Sequence, residues 1–260
     1  MKMERDRSSY HIKTVSRAID VLEQFHGDYA ELGVTALSKS LSLGKNNVFR
    51  LLATLASRDY VEQNPETGSY RLGLKNFELG QTMVRQMGLL RQARPVIESM
   101  AARSNETTDL AVLKGGHILY VDAVETDLPV RVFSRLGLWF PVHCTAAGKL
   151  HLAFMSADEL TPFLPPGQLQ RCTANTVIEL KKLRRQLRQI AVKGYAVDDE
   201  EQDVGVRCVS APIRDFTKKV VGAVSIAGPV NRITKARITR ELIPLVQGGA
   251  AEISCRLGYR

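Results

Sequence analysis

The chain has 260 residues, of which 44% are hydrophobic and 24% charged, a composition typical of a globular protein with room for two modest domains. It has no run of the roughly 20 apolar residues that a membrane helix needs, and its polar N-terminus lacks the apolar segment of a secretory signal, so we expect a cytoplasmic protein. The net charge of +9 suggests nucleic-acid binding, but residues 1–80 hold only 11 Lys and Arg against 10 Asp and Glu. Bulk charge therefore does not identify a DNA-binding half.

The first eighty residues are predicted to form three helices followed by a β-hairpin. Thr35 is the expected N-cap of the second helix, and a tight turn containing Gly44 leads into the third. Two short strands around a Pro/Gly turn follow residue 59, which completes a winged helix-turn-helix pattern. The apolar positions at helical spacing are Val15, Ile19, Leu22 and Phe25 in the first helix and Val48, Leu51, Leu52 and Leu55 in the third.

The other face of the third helix is polar, and we expect it to read DNA bases. Asn and Arg side chains make bidentate pairs with adenine and guanine edges in the major groove, and the N-terminal residues of this helix sit deepest there. A solvated surface helix is the alternative, but the polar cluster, the turn before it and the wing after it occur together. The predicted base-contacting face carries Asn46, Asn47, Arg50, Thr54 and Ser57, and the predicted phosphate contacts are Lys45, Arg17, Lys13, Asn64, Thr67 and Arg71.

Residues 74–104 are predicted to be helical and to link the two halves of the chain. From about residue 105, strands and helices alternate: a hairpin turns at Gly115-Gly116, residues 129–135 read as a further strand, and Thr145 can cap a helix. A basic amphipathic helix is expected at 176–193, two paired strands at 207–215 and 219–228, and a closing helix at 235–257. The pattern predicts an all-α head with a wing, followed by an α+β or α/β sensor-like domain.

Small side chains share one face of the two last strands. Such a face cannot fill a core at native density unless larger neighbours reach in, so it predicts either a ligand cavity or the close approach of a helix. The helix after Thr145 starts with Ala146, Ala147 and Gly148, whose backbone amides could donate hydrogen bonds to a ligand carboxylate. Asp198 could accept a hydrogen bond from a hydroxyl group of the same ligand. The residues sharing the face are Val206, Cys208 and Ser210 in one strand and Val221, Ala223, Ser225 and Ala227 in the other.

The chain resembles the IclR-type transcriptional regulators over nearly its whole length. The resemblance implies an α+β protein with a winged helix-turn-helix domain at 1–73, a linker helix at 74–90 and a GAF-like effector-binding domain at 91–260, with an antiparallel sheet and flanking helices. It also implies dimers or tetramers on partly palindromic operators and a small organic acid as effector. The residues that match effector-contact positions are Ala146, Ala147, Asp198, Val206, Cys208 and Ser225. The matching pieces are "VSRAIDVLEQF", "VTALSKSLSLGKNNVFRLLATLASRDYVEQNPETGSYRLG", "FELG", "PVHCTAAGKLHLA", "GYAVDDEEQDVGVRCVSAPIRD" and "VVGAVSIAGPVNRIT".

Three positions depart from the family pattern. Recognition helices of the family often begin with a Lys-Ser-Thr type sequence, whereas this chain has Lys45-Asn46-Asn47, which bears on the operator sequence. Where some relatives carry a second serine, this chain has Ala227, so one hydrogen bond to a carboxylate effector is absent or replaced.

A cysteine-dependent enzyme is one alternative, because His143 and Cys144 are adjacent and Cys208 could lie near Asp198. The sequence has no nucleophile elbow, phosphate loop or metal-ligand spacing, so we expect no enzyme, no cofactor and no metal, and thiols that are reduced and mostly buried. A second alternative is an architectural DNA-binding protein without a ligand. Tyr120, Phe133 and Trp139 could line the pocket mouth or pack in the core, and the core is favoured for Phe133.

The sequence therefore predicts a ligand-responsive regulator, more readily a repressor, that binds double-stranded operator DNA. Its effector would be a keto-, hydroxy- or aromatic acid, and its other partner a second copy of itself. Residues 10–25 and 74–90 are the expected contact between copies, which would place two recognition helices in successive major grooves about 34 Å apart.

Overall fold

The N-terminal unit of the chain is a winged helix-turn-helix. The computed structural model describes residues 12–26, 31–86, 88–165, 167 and 169–260, and the chain divides into an N-terminal unit, Met1–Gln86, and a C-terminal unit, Met87–Arg260. The elements of the N-terminal unit are α1 (Lys13–Glu23), α2 (Val34–Ser40), α3 (Lys45–Ala56), β1 (Val61–Gln63), β2 (Tyr70–Leu72) and α4 (Leu74–Gln86). Strands β1 and β2 pair antiparallel and form the predicted wing.

The core of the N-terminal unit forms where α1, α2 and α3 meet the wing. The predicted stripe of α3 is buried, but that of α1 is only partly so: Phe25 is in the core, while Val15 and Ile19 are exposed. The N-cap of α2 is Gly33 rather than the predicted Thr35, because the helix begins two residues earlier than predicted, at Val34. In the turn before α3 the left-handed backbone falls on Ser42 (φ 53°) and not on Gly44, which is the N-cap of α3.

The C-terminal unit is built on one six-stranded antiparallel sheet with the strand order β5-β4-β3-β8-β7-β6. Its strands are β3 (Thr107–Lys114), β4 (His117–Val124), β5 (Trp139–Pro141), β6 (Ala196–Asp199), β7 (Val206–Arg214) and β8 (Val220–Pro229). Gly115 and Gly116 both have positive φ in the β3–β4 turn, which is the predicted two-residue hairpin.

Helices cover both faces of this sheet. The helices are α5 (Gly88–Ser104), α6 (Ala146–Ala153), α7 (Ala157–Leu160), α8 (Leu180–Lys193), α9 (Lys235–Arg237) and α10 (Ile243–Arg256), with a 3₁₀ turn at Thr161–Phe163 and a π-helical segment at Ile238–Leu242. One core lies between the sheet and α5 and α10, and a second lies between the other face and α6 and α8. This confirms the predicted α+β class with an antiparallel sheet and flanking helices.

Two predictions for the segment between β4 and β5 differ from the structure. Residues 129–135 are not a strand; they form an irregular segment anchored by Arg131 to Glu125 (N–O 2.7 Å). Phe133 is 69% exposed rather than in the core, and the guanidinium of Arg131 lies 5.0 Å from its ring centre. The predicted 74–90 linker covers α4 and the first residues of α5; residue 87 and residues 1–11 of the predicted first domain lie outside the described residues. No helix in the described part of the chain is both long and apolar enough to cross a membrane.

Candidate nucleic-acid interface and ligand site

Helix α3 has two chemically distinct sides. Val48 and Leu52 are fully buried, whereas the polar residues of the first turn point outward. Gly44 caps the helix without a side-chain hydrogen bond, and a Cβ built on it would meet no atom within 4 Å. The N-terminal end of α3 is therefore unobstructed within its own unit. The exposed polar residues are Lys45, Asn46, Asn47, Arg50, Thr54 and Ser57.

Four of the predicted DNA contacts line one groove between α1 and α3. The groove encloses about 230 Å³, and its side chains come from both helices. The hydroxyl of Thr54 donates to the carbonyl of Arg50 at 2.8 Å, so it is partly committed to the helix itself. Lys13 of α1 is exposed outside this set. The groove is lined by Arg17, Asn47, Arg50 and Thr54 together with Thr14 and Leu51.

Phe49 is a surface residue of α3 that the sequence interpretation missed. Its side chain is 54% exposed, on the same side as Asn46 and Arg50. The signal was its position outside the buried stripe of the helix, at i+3 from Asn46. An exposed phenylalanine among amides and a guanidinium offers an apolar contact of the kind that proteins make with thymine methyl groups.

The wing residues have partners within their own unit. Asn64 donates to Glu31 at 2.8 Å and accepts from the backbone amide of Glu66 at 2.9 Å, while the hydroxyl of Thr67 donates to the other oxygen of Glu31 at 2.9 Å. Arg71 is ion-paired with Glu62 across the hairpin (3.0 Å). Asn64 and Thr67 thus shape the wing turn, and a phosphate would have to compete with Glu31 for their donors.

In the C-terminal unit, strand register brings the predicted effector residues together. Asp198 pairs with Cys208, and Cys208 pairs with Ala227. One step along the same face, Ser210 pairs with Ser225, and Ser225 pairs with Asp109 of β3. The hydroxyls of Ser210 and Ser225 are 2.6 Å apart. These six side chains form a two-row grid on the face that α6 covers, which we call the polar grid; Val206 starts the same strand beside it.

Helix α6 packs against this face, so its first turn lies near the small side chains of the polar grid. Its N-cap is Thr145, as predicted, and the Thr145 hydroxyl accepts from the amide of Gly148 at 3.1 Å. Ala146 and Ala147 are buried in the same core as Cys208. A Cβ on Gly148 would lie 2.2 Å from the Val142 carbonyl oxygen, so the segment before the helix folds back over its first turn.

Asp198 organises the loop that follows β6. Its Oδ1 accepts from the backbone amides of Glu201 (2.7 Å) and Gln202 (3.3 Å). Lys149 of α6 donates to the carboxylate of Glu201 and to the carbonyl of Val197. Burial raises the pKa of Asp198 to about 7, although the nearby Lys149 ammonium opposes that rise. The run of acids at 198–201 is therefore partly buried, not a solvated loop.

Asp109 is a second buried acid of the polar grid, and the sequence interpretation missed it. Its side chain is 2% exposed, and its Oδ1 has no hydrogen-bond partner among the described residues. Burial raises its pKa to about 7, against the opposing charge of Arg135. Arg135 itself is held by Asp203 at 2.5 Å and lies 4.9 Å from the ring centre of Phe140. No pattern in the sequence distinguishes Asp109 from an edge-strand acid.

The buried thiols are poor nucleophiles. Burial raises the pKa of Cys208 to about 12, and it raises the pKa of Cys144 well above its ordinary value. His143 and Cys144 lie in a turn rather than in a strand, and the His143 ring is bonded to the carbonyl of Gln170 at 2.8 Å. Cys144 donates to Gln202 Oε1 at 2.8 Å. Neither Cys144 nor Cys208 is therefore placed as a nucleophile activated by a neighbouring base.

A larger cleft lies elsewhere on the C-terminal unit, beside the end of α6. It encloses about 690 Å³ and is lined by His151, Phe154 and Arg214, among others. Burial lowers the pKa of His151 to about 4, so its imidazole is neutral near pH 7. The Arg214 guanidinium stacks 4.3 Å from the Phe154 ring centre and donates to the Lys218 carbonyl. No predicted effector residue lines this cleft.

Two family models match the chain. The model described as bacterial transcriptional regulator IclR C-terminal matches residues 81–255, and the IclR helix-turn-helix domain matches residues 14–65. The chain belongs to the IclR family of transcriptional regulators. Its similarity to the family covers both units, and its curated relatives are regulators and not enzymes.

Individual relatives match over nearly their full length. The chain is 35% identical to the transcriptional regulator XynR of Escherichia coli over 95% of this chain and 98% of that one. It is 32% identical to the transcriptional repressor AllR of Salmonella typhimurium over 95% and 91% of the two chains. The crystal structure of the Thermotoga maritima IclR superposes with a TM-score of 0.78 at 30% identity, covering 96% of this chain and all of that one.

Proposed function

We propose that this IclR-family protein is a ligand-responsive regulator, more readily a repressor, whose α3 reads operator bases and whose polar grid holds a small organic acid. The observation that carries the DNA half is the two-sided α3, in which Val48 and Leu52 anchor the helix while Asn47 and Arg50 stay free for base edges. The repressor assignment is supported by the similarity to AllR, a repressor.

A second copy of the chain is the proposed partner in solution. Several large apolar side chains of the N-terminal unit are exposed. They are Ile12, the N-cap of α1, Val15 and Ile19 on α1, and Leu74 and Phe77 on α4. Both helices belong to the segments expected to join two copies, and burying such side chains against a partner is favourable. A dimer would present two α3 helices to a partly palindromic operator.

The proposed effector contacts are the amides of Ala146 and Ala147 and the side chains of Asp198, Val206, Cys208 and Ser225. The N-terminus of α6 favours a carboxylate because its first amides and the helix dipole present positive charge. The effector would alter DNA binding only through a difference in its affinity for the two arrangements of the DNA-binding heads. Neither a metal nor a cofactor enters this proposal.

Two measurements test the proposal. Selection from a random duplex library should yield a partly palindromic sequence that the full-length protein binds far more tightly than random duplex. A thermal-shift screen of organic acids should then find one that stabilises the protein, by about 2.7 kcal/mol at 100 times its dissociation constant, and that changes operator affinity. Operator binding that no organic acid alters would favour the ligand-independent architectural protein, and no selected sequence at all would overturn the regulator.

A further inference from the structure

Among the described residues, the carboxyl group of Asp109 differs from the other buried acids of the C-terminal unit, each of which accepts at least one hydrogen bond. Glu201 also has an unpartnered oxygen, Oε2, but its other oxygen accepts from Lys149. Glu106, three residues before Asp109, is bonded to both Arg232 (2.6 Å) and Arg237 (2.9 Å), and Asp198 accepts two backbone amides. Asp109 Oδ1, by contrast, has no partner in the described part of the chain. A buried polar atom without a hydrogen bond costs free energy, so its persistence calls for a partner that comes from outside the chain.

Asp109 lies where an effector on the polar grid would reach it. It pairs across the sheet with Ser225, whose hydroxyl is 2.6 Å from that of Ser210. Cys208 pairs with Asp198, and it lies one step along β7 from Ser210, whose partner Ser225 pairs with Asp109. Burial raises the pKa of the Cys208 thiol, and the carboxyl groups of Asp198 and Asp109 add to that rise. The two acids therefore flank one shared surface, three strands apart in the order β6-β7-β8-β3.

The two cationic side chains near the polar grid already have carboxylate partners within the protein. Arg135 is paired with Asp203, and the Lys149 ammonium is bonded to the Glu201 carboxylate. A ligand that offered only a carboxylate would leave Asp109 without a donor, and it would use none of the acceptor sites that Asp198 retains beyond its two backbone amides. A hydroxyl group can donate to an ionised carboxylate or to the carbonyl oxygen of a protonated one, and the bond to the ionised form is the stronger.

We infer that Asp109 is a specificity-determining residue that accepts a hydrogen bond from a hydroxyl group of the effector. Because Asp198 faces the same surface from the other side, the effector is a carboxylic acid of several carbons with more than one hydroxyl group, the chemistry of an aldonic acid. This inference rests on the proposed function, and it narrows the effector class from organic acids in general to polyhydroxylated ones.

The test uses the full-length protein and a panel of three- to six-carbon aldonates, each matched with the unhydroxylated acid of the same length, from propionate to hexanoate. Dissociation constants come from calorimetry, after a thermal-shift screen has ranked the panel. We expect the tightest ligand to be an aldonate. Asp109→Ala should reduce its preference over the matched acid by about 10- to 100-fold, the usual worth of a hydrogen bond to a charged group, and Asp109→Asn, which keeps one acceptor, should lose less.

Thr108→Val is the matched control. Thr108 is the neighbouring residue of β3, its Oγ1 is also buried without a partner, and it pairs with Ile226, whose side chain is in the core on the opposite face. This variant should keep the wild-type preference. All variants must keep the wild-type circular dichroism spectrum and ligand-free DNA affinity, which separates a loss of recognition from a loss of folding.

Three outcomes overturn the inference. One is an unhydroxylated acid that binds best and changes DNA affinity, which would leave the proposed regulator intact. Another is an aldonate preference that survives Asp109→Ala, and the third is a panel in which no aldonate binds. Failure of the proposed function looks different, because DNA selection would then fail or no acid of any class would alter DNA binding.

Discussion

Lys149 and Glu201 form an ion pair inside the C-terminal unit, where their side chains are only 2% and 7% exposed. Removing one partner of a buried pair leaves the other charge without compensation. We therefore expect Lys149→Met to lower the free energy of unfolding by about 3–5 kcal/mol, measured by thermal denaturation. The double variant Lys149→Met/Glu201→Leu should regain most of this loss.

The control for that prediction is Lys182→Met. Lys182 pairs with Glu179 on the surface, with both side chains more than half exposed, and such pairs contribute less than about 0.5 kcal/mol. Equal losses from Lys149→Met and Lys182→Met would contradict the role given to burial.

Asn47 and Arg50 should govern which duplex is bound, and Lys45 how tightly any duplex is bound. Each of Asn47→Ala and Arg50→Ala should cost about 1–3 kcal/mol on the selected operator and little on random duplex. Lys45→Ala should weaken binding to the operator and to random duplex equally. It should also reduce the slope of log affinity against log salt concentration by about one, the contribution of one phosphate contact. Fluorescence anisotropy at several salt concentrations measures these quantities, and equal losses on both duplexes for all three variants would remove the base-reading assignment.

Phe49→Ala should weaken operator binding without destabilising the protein. The side chain is mostly exposed, so its loss opens no cavity in the core of the N-terminal unit. We expect a loss of about 1 kcal/mol or more on the operator, a thermal midpoint within one or two degrees of wild type, and reduced discrimination at a thymine position. Leu52→Ala, a buried neighbour on α3, should instead lower the midpoint by several degrees.

Gly148→Ala should be strongly destabilising, because the added Cβ would lie within 3 Å of the Val142 backbone, which cannot move as a side chain can. Gly248, inside α10, has no atom within 4 Å of a built Cβ, so Gly248→Ala should stabilise by up to about 1 kcal/mol through helix propensity. Denaturant titration of both variants measures the two effects. A loss for Gly248→Ala as large as that for Gly148→Ala would mean that packing at Val142 is not the cause.

The pH dependence of stability should change when Asp109 is neutralised. Its folded pKa is raised to about 7 from an ordinary value near 4, so its stabilising contribution is full below about pH 4 and is lost as the pH rises through 7. Asp109→Asn removes this loss, and its thermal midpoint should gain on wild type steadily from pH 5 to about pH 7.5 and then level off. Thr108→Val should show a difference from wild type that does not vary with pH.

The elements that follow from local chemistry were predictable. The apolar residues from Val48 to Leu55 can be buried together on one face only if the segment is a helix. The Thr145 side chain caps α6, and Gly115-Gly116 permits the positive φ of a two-residue hairpin. In each case the residues that determine the structure lie within a few positions of one another, and the surroundings agree with the local preference.

The features that depend on distant partners were not predictable. Residues 129–135 alternate like a strand, but Arg131 and Arg135 are held by Glu125 and Asp203, and that pairing replaces a strand ladder. Asp109 belongs to the polar grid only because β3 lies next to β8, which follows it by more than a hundred residues. The hydrogen bond from Thr67 to Glu31 joins residues that are 36 positions apart, so the sequence alone did not indicate it.

The polar grid owes its composition to strand alignment, because every member is placed by pairing across β6, β7, β8 and β3. One residue added to the Asp215–Lys219 turn would shift the register of β8 against β7 by one position. The shift would move the side chains of β8 to the opposite face of the sheet and remove several members of the polar grid at once. Substitution of single side chains can therefore change the chemistry of the polar grid while the backbone stays in place. Insertions are tolerated only where they interrupt no strand pairing, as in the irregular segment between β4 and β5.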